Sequence, residues 1–184
     1  MENSDSYIPS HMENSSPGEK FAYKAELQKN FIENDTISSA DQFNAETEAM
    51  INGPKLDLNP SLTEADLMDS SPIKQAYLTG NYIEDGNLDH SDVFEADMQS
   101  SLNGSSSSIE TNNSFSPGEE LVRDSELTES FLENGEVTSL DEINAENTAF
   151  VEGSNLDYLF LIPFFVSNYE RVYRYLSMER LCNF

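Results

Sequence analysis

Internal repetition constrains this chain more than any other feature, and repeats are read before a fold is proposed. Residues 16–58 and 116–158 align without a gap at an offset of 100, with 18 identities in 43 positions. SPGEKFAYKAELQKNFIENDTISSADQFNAETEAMINGPKLDL lies over SPGEELVRDSELTESFLENGEVTSLDEINAENTAFVEGSNLDY. A weaker copy lies between them. Residues 76–97 match residues 25–46 at an offset of 51, with 8 identities in 22 positions. The chain therefore carries one unit of about fifty residues three times. The outer copies resemble each other most, which points to duplication of a two-copy block.

Each unit reads as helix, turn, capped helix. In the third copy Leu127, Phe131 and Leu132 fall at i, i+4 and i+5, a helical stripe. Asn134-Gly135 breaks it, as a C-cap or tight turn does. Ser139 to Glu142 has the form of a capping box opening a second helix through about Phe150. Ser39 with Gln42 repeats that pattern in the first copy, and Asp89 and Asp92 stand nearby in the second.

Charge argues against a stable fold. The 184 residues carry 35 Asp and Glu against 9 Lys and Arg, a net charge of −26, and only 37% are apolar. Such a chain repels itself when compact. Each unit offers only about six to nine large apolar side chains. At roughly 1.5–3 kcal/mol per buried side chain, these do not offset about 1–2 kcal/mol of backbone entropy per residue. The expected fold class is therefore a largely intrinsically disordered chain: three acidic repeats with short nascent helices and no sizeable core. The expected organisation is a disordered N-terminus at 1–15 and repeats at 16–58, 67–99 and 116–157. A Ser/Asn-rich linker would fill 100–115, and an aromatic tail 158–184.

Composition also narrows function. Nucleic acid is repelled by this charge unless a basic patch exists. One cysteine, Cys182, rules out an intramolecular disulfide framework. The acidic N-terminus lacks the pattern of a secretory signal, so an intracellular chain, cytoplasmic or nuclear, is expected. No run approaches the ~18 apolar residues of a membrane span. The turns fail as calcium loops, because Ile32, Ile83 and Leu132 stand where the third ligand is needed. His11 and His90 lie outside any nucleophile or metal motif, and no phosphate loop or nucleophile elbow occurs. Neither enzymatic activity nor a cofactor is expected.

Other residues suggest interaction. Ser-Pro pairs at Ser16, Ser71 and Ser116 precede the repeat cores, as candidate sites for a proline-directed kinase or as helix-opening turns. Leu27, Phe31, Leu78, Tyr82, Leu127 and Phe131 are the expected anchors for unidentified protein partners. The tail changes character: residues 158–184 hold 8 of the 19 aromatic residues, and 155–184 carry three acids and three bases. Tyr158–Val166 is expected to drive self-association or weak contact with a membrane interface, unless Leu127, Phe131, Ile143 and Phe150 cover it. The expected function is that of a non-enzymatic acidic repeat protein that presents helical motifs to partners, with avidity through repetition. The alternative is a fragment or regulatory extension of a larger enzyme or transcription factor.

Overall fold

Local sequence starts each hairpin. Ser16-Pro17-Gly18-Glu19 and Ser116-Pro117-Gly118-Glu119 place an N-cap serine before a proline at the first helical position, where its missing N–H costs nothing. The Ser16 hydroxyl accepts from the Glu19 N–H at 3.3 Å, and the Glu19 carboxylate accepts from the Ser16 N–H at 2.8 Å. Ser116 and Glu119 repeat both bonds. These boxes open α1 (Pro17–Asn34) and, in the third copy, α6 (Pro117–Asn134). The computed structural model describes residues 8–68, 71–103 and 115–157.

The remaining helices are α2 (Ser39–Asp57), the single turn α3 (Glu64–Leu67), α4 (Pro72–Asp85), α5 (His90–Asn103) and α7 over 139–157. The three copies are the hairpins α1–α2, α4–α5 and α6–α7. Helices α1, α4 and α6 end at equivalent residues in left-handed C-caps: Asp35 at φ 53°, Gly86 at 67° and Gly135 at 72°. Each C-cap N–H donates to the carbonyl of the aromatic residue four back, Phe31, Tyr82 or Phe131. The second helix is capped one residue earlier than the sequence suggests. Ser38 with Asp41 and Thr138 with Asp141 make the boxes, and Asp89 with Asp92 forms the equivalent pair in the middle copy. α4 starts one turn late, so the middle hairpin is shorter than its neighbours.

The expectation of a largely disordered chain without a sizeable core is overturned. The described residues form a helical bundle, and its helices are long rather than nascent. The first helices of the three hairpins meet one another, α4 and α1 both lying against α6, while α2 and α5 cover them from outside. Tyr23, Leu27, Ile73, Tyr77, Leu78, Leu121, Val122 and Leu127 are fully buried there. Counting each copy alone underestimates burial, because faces that are too small singly are pooled between hairpins into two shared clusters. The expectation of a linker over 100–115 is corrected in part, since residues 100–103 complete α5. Readings placed on residues 1–7, 104–114 and 158–184, the tail among them, lie outside the described residues.

Two details fix the hairpins. The second helix meets the first at a glycine pair: a Cβ on Gly53 would lie 2.5 Å from Glu19 Cα, and one on Gly153 would lie 2.3 Å from Glu119 Cα. The same crossing is tied by a carboxylate. The Gly18 N–H donates to Asp57 Oδ1 at 2.8 Å, and the Gly118 N–H to Asp157 Oδ1 at 2.7 Å. Between hairpins, Thr128 Oγ1 donates to Gln28 Oε1 at 3.1 Å in a buried contact. These residues hold the same position in copies three and one. The duplicated helices α1 and α6 thus meet at equivalent positions.

Candidate protein-interaction surface

The second helix of each hairpin is apolar on two opposed faces. Its inner face carries small residues that permit close packing: Ala45, Ala49 and Gly53 in α2, Ala96 in α5, and Ala145, Ala149 and Gly153 in α7. At 3.6 residues per turn, a second apolar stripe lies ~150° around the helix from the first. It comprises Phe43, Met50 and Ile51 in α2, Phe94, Met98 and Leu102 in α5, and Leu140, Ile143, Phe150 and Val151 in α7. All are exposed, and they account for ten of the twelve exposed large apolar side chains among the described residues, Leu58 and Met68 being the others.

The repeat serves as an internal alignment of this stripe. Phe43, Phe94 and Ile143 are equivalent and 68%, 64% and 51% exposed. Ile51, Leu102 and Val151 are equivalent and 54%, 66% and 70% exposed. Both positions stay apolar in all three copies although the interior gains nothing from them. Adjacent exposed positions are polar, as at Asn44, Glu95 and Asn144. One edge of each stripe carries an acid at a third equivalent position: Glu46, Asp97 and Glu146. Glu46 pairs with His11 at 3.0 Å. Asp97 Oδ1 lies 2.7 Å from Lys74 Nζ, yet the Asp97 side chain remains 56% exposed.

The anchors expected from sequence lie elsewhere. Leu27, Leu78 and Leu127 are completely buried, Leu27 in one apolar cluster with Ile37 and Ala45, and Leu78 and Leu127 in a second with Leu88, Ala96, Val137 and Ala145. Phe31 is buried as well. Tyr82 meets Phe21 edge-on at 5.7 Å, and Phe131 stacks obliquely on Tyr77 at 4.4 Å, over Gly80. These six residues join helices of the chain to one another. The stripe expected from Leu127, Phe131, Ile143 and Phe150 is not one face, because the first two point inward and the last two outward. Ser16, Ser71 and Ser116 are all helix N-caps, and Ser71 Oγ also lies 2.9 Å from Ser100 Oγ.

A second feature lies where α1, α3, α4 and α6 meet. Lys20, Lys24 and Arg123 line a cleft of about 180 Å³ together with Gln28, Gln75, Thr79, Glu120 and Asp124. Arg123 is held by Asp124 at 2.8 Å and lies over the Phe115 ring at 4.8 Å. The volume falls below the ~300–1,000 Å³ of ordinary small-molecule sites. Lys20 and Glu120 are equivalent positions, as are Lys24 and Asp124, so the duplicated helices bring opposite charges to their shared seam. Beyond the cleft, Lys74 is clasped between Asp66 at 3.0 Å and Asp97. Burial alone would lower the Lys74 ammonium, but hydrogen bonds and charge from both aspartates hold it above its ordinary range.

Among the described residues, no three His, Cys, Asp or Glu side chains converge as a metal site requires, and no helix is long and apolar enough to cross a membrane. The outer stripe was legible in part, since Phe43, Phe94 and Ile143 recur in the repeat. What marks them as outward is the Ala and Gly spacing beside them, a pattern that counting large apolar residues passes over. Comparison with protein-family models, curated proteins and solved structures finds no match for this chain.

Proposed function

We propose that this protein is a folded docking scaffold without enzymatic activity, and that the outer faces of α2, α5 and α7 receive its protein partners. The observation that supports this reading is the persistence of exposed apolar residues at two equivalent positions in all three copies. Between the outer copies 25 of the 43 aligned positions differ, so side chains that are mostly exposed are free to become polar. Scattered exposed apolar residues are ordinary, but aligned and repeated ones mark interaction sites. Three similar faces on one bundle also allow a partner with several motifs to bind with avidity.

The test is a triple variant, Phe43→Ser/Phe94→Ser/Ile143→Ser, compared with the unmodified chain by proximity labelling in cells. Circular dichroism should show the same helicity and thermal midpoint, because none of the three side chains is buried. The reading requires a defined set of neighbours to be lost in the variant and retained in a control altered at Asn44 and Asn144. An unchanged set of neighbours would refute it.

A further inference from the structure

Resting on that docking reading, we infer that the occupant of the outer faces is a cationic amphipathic helix of a partner protein, with Lys or Arg flanking an aliphatic or aromatic stripe. Three observations on the chain lead there. First, every outer stripe is bordered on the same edge by an acid, Glu46, Asp97 or Glu146, so apolar and acidic features recur together. Second, each face has the length of a helical contact. From Phe43 to Ile51 the stripe runs eight residues, about 12 Å at 1.5 Å per residue, which is the length of two turns of a facing helix. Third, the net charge of −26 selects among occupants. A second copy of this chain would bring the same charge against it, and nucleic acid or an anionic membrane would be repelled likewise. A cationic helix is drawn in by the whole body and oriented by the acidic edge.

The edge acids remain able to receive it. Asp97 meets Lys74 through Oδ1, and a carboxylate accepts further hydrogen bonds on its other oxygen. Glu46 meets His11 through Oε1 in the same way. Apolar contact then sets how well the helix fits, and charge sets its direction and its rate of arrival.

The probe is a synthetic peptide of about 18 residues, long enough to hold a helix, with Leu on one face and Lys on its borders. Two analogues replace Lys by Gln or by Glu. Binding to the full-length chain is measured by fluorescence anisotropy near 0.15 M salt, where unspecific long-range attraction is screened beyond about 8 Å. The Lys peptide should bind at least about tenfold more tightly than either analogue. Phe43→Ser/Phe94→Ser/Ile143→Ser should weaken it by a similar factor, and Glu146→Gln should flatten its salt dependence. Lys-peptide binding that the triple variant leaves intact is general attraction to an acidic protein and overturns the inference. If the Gln or Glu peptide binds as well as the Lys peptide and only to the unmodified faces, the docking reading survives and the cationic partner does not. Absence of binding by all three also overturns the inference. A spin label on Cys182, the single cysteine, then shows by broadening of the Phe94 and Ile143 resonances whether the chain's own C-terminal segment holds the faces.

Discussion

Replacing Gly53 by alanine sets two well-known effects against each other. In an ordinary helix interior the change stabilises by roughly 0.5–1 kcal/mol, because alanine loses less backbone freedom on folding. Here the added Cβ would lie 2.5 Å from Glu19 Cα and 2.6 Å from Glu19 N, both backbone atoms of α1. Carbon atoms in contact sit about 3.5–4.0 Å apart, so α1 and α2 must separate by about 1 Å at this point. Overpacking of this kind costs about 1–3 kcal/mol. The separation also stretches the bond from Gly18 N–H to Asp57, now 2.8 Å long. A hydrogen bond to a charged group contributes about 1.5–3 kcal/mol. The net expectation is a loss of about 2–5 kcal/mol, a large share of the ~5–15 kcal/mol typical of a domain. Urea unfolding followed by circular dichroism measures it. Gly153→Ala, set against Glu119 at 2.3 Å, repeats the experiment in the third copy. In an Asp57→Asn background the penalty should shrink, because part of the lost bond is already gone. A neutral or stabilising Gly53→Ala would refute the close crossing.

Four further outcomes are expected. Asp35→Gly should stabilise by about 1 kcal/mol, since Asp35 alone among the three C-caps holds φ 53° with a side chain. It should also lower the Glu126 and Glu129 carboxyls, which burial first and then neighbouring acids, Asp35 included, hold above the ordinary range; chemical shift titration reads both. Ser125→Ala should stabilise by about 1 kcal/mol in urea unfolding, because the buried Ser125 Oγ has no partner among the described residues and the other copies carry Ala25 and Ala76 there. Lys74→Met should cost roughly 3 kcal/mol by leaving Asp66 without its cation, as thermal denaturation would show. Finally, the thermal midpoint should rise as pH falls from about 7 toward 4.5, and fall again below about 4. Glu26, Glu126 and Glu129 are raised, mainly by burial, so their folded forms bind protons more tightly and gain stability on acidification. At Asp66 burial pulls upward, but hydrogen bonds from Thr63 and Lys74 prevail and lower it, so its contribution is lost only as pH falls through that depressed value.

Much of the local architecture can be read from the residues, and much of the tertiary structure cannot. The turn at Asn134-Gly135 and the aromatic residue before it are visible in the repeat, because a left-handed cap demands a small set of residues. The start of each first helix, well upstream of the shared core, rests on Ser-Pro pairs that also read as kinase sites. Burial is not legible in the sequence for a physical reason. Sequence counting credits large apolar side chains, whereas the second helices pack through Ala45, Ala49 and Gly53 and leave Phe43 and Ile51 outside. Leu27, Leu78 and Leu127 recur as partner anchors would, yet all three lie in the interior of the bundle. Repetition alone does not separate a folding requirement from a binding one; exposure does.

The opposite charges at Lys20 and Glu120, and at Lys24 and Asp124, bear on how such a chain finds its own pairing. Three look-alike hairpins on one polypeptide, and on every neighbouring polypeptide during synthesis, offer many wrong combinations. Third hairpins from two chains would bring four acids, Glu120 and Asp124 of each, together with only two cations, Arg123 of each. Two first hairpins would set lysines against lysines. A first with a third brings lysines and acids to one cleft, and within a single chain those two are tethered. The duplicated helices thus carry different charges on one shared template, which favours pairing of first with third over pairing of like with like.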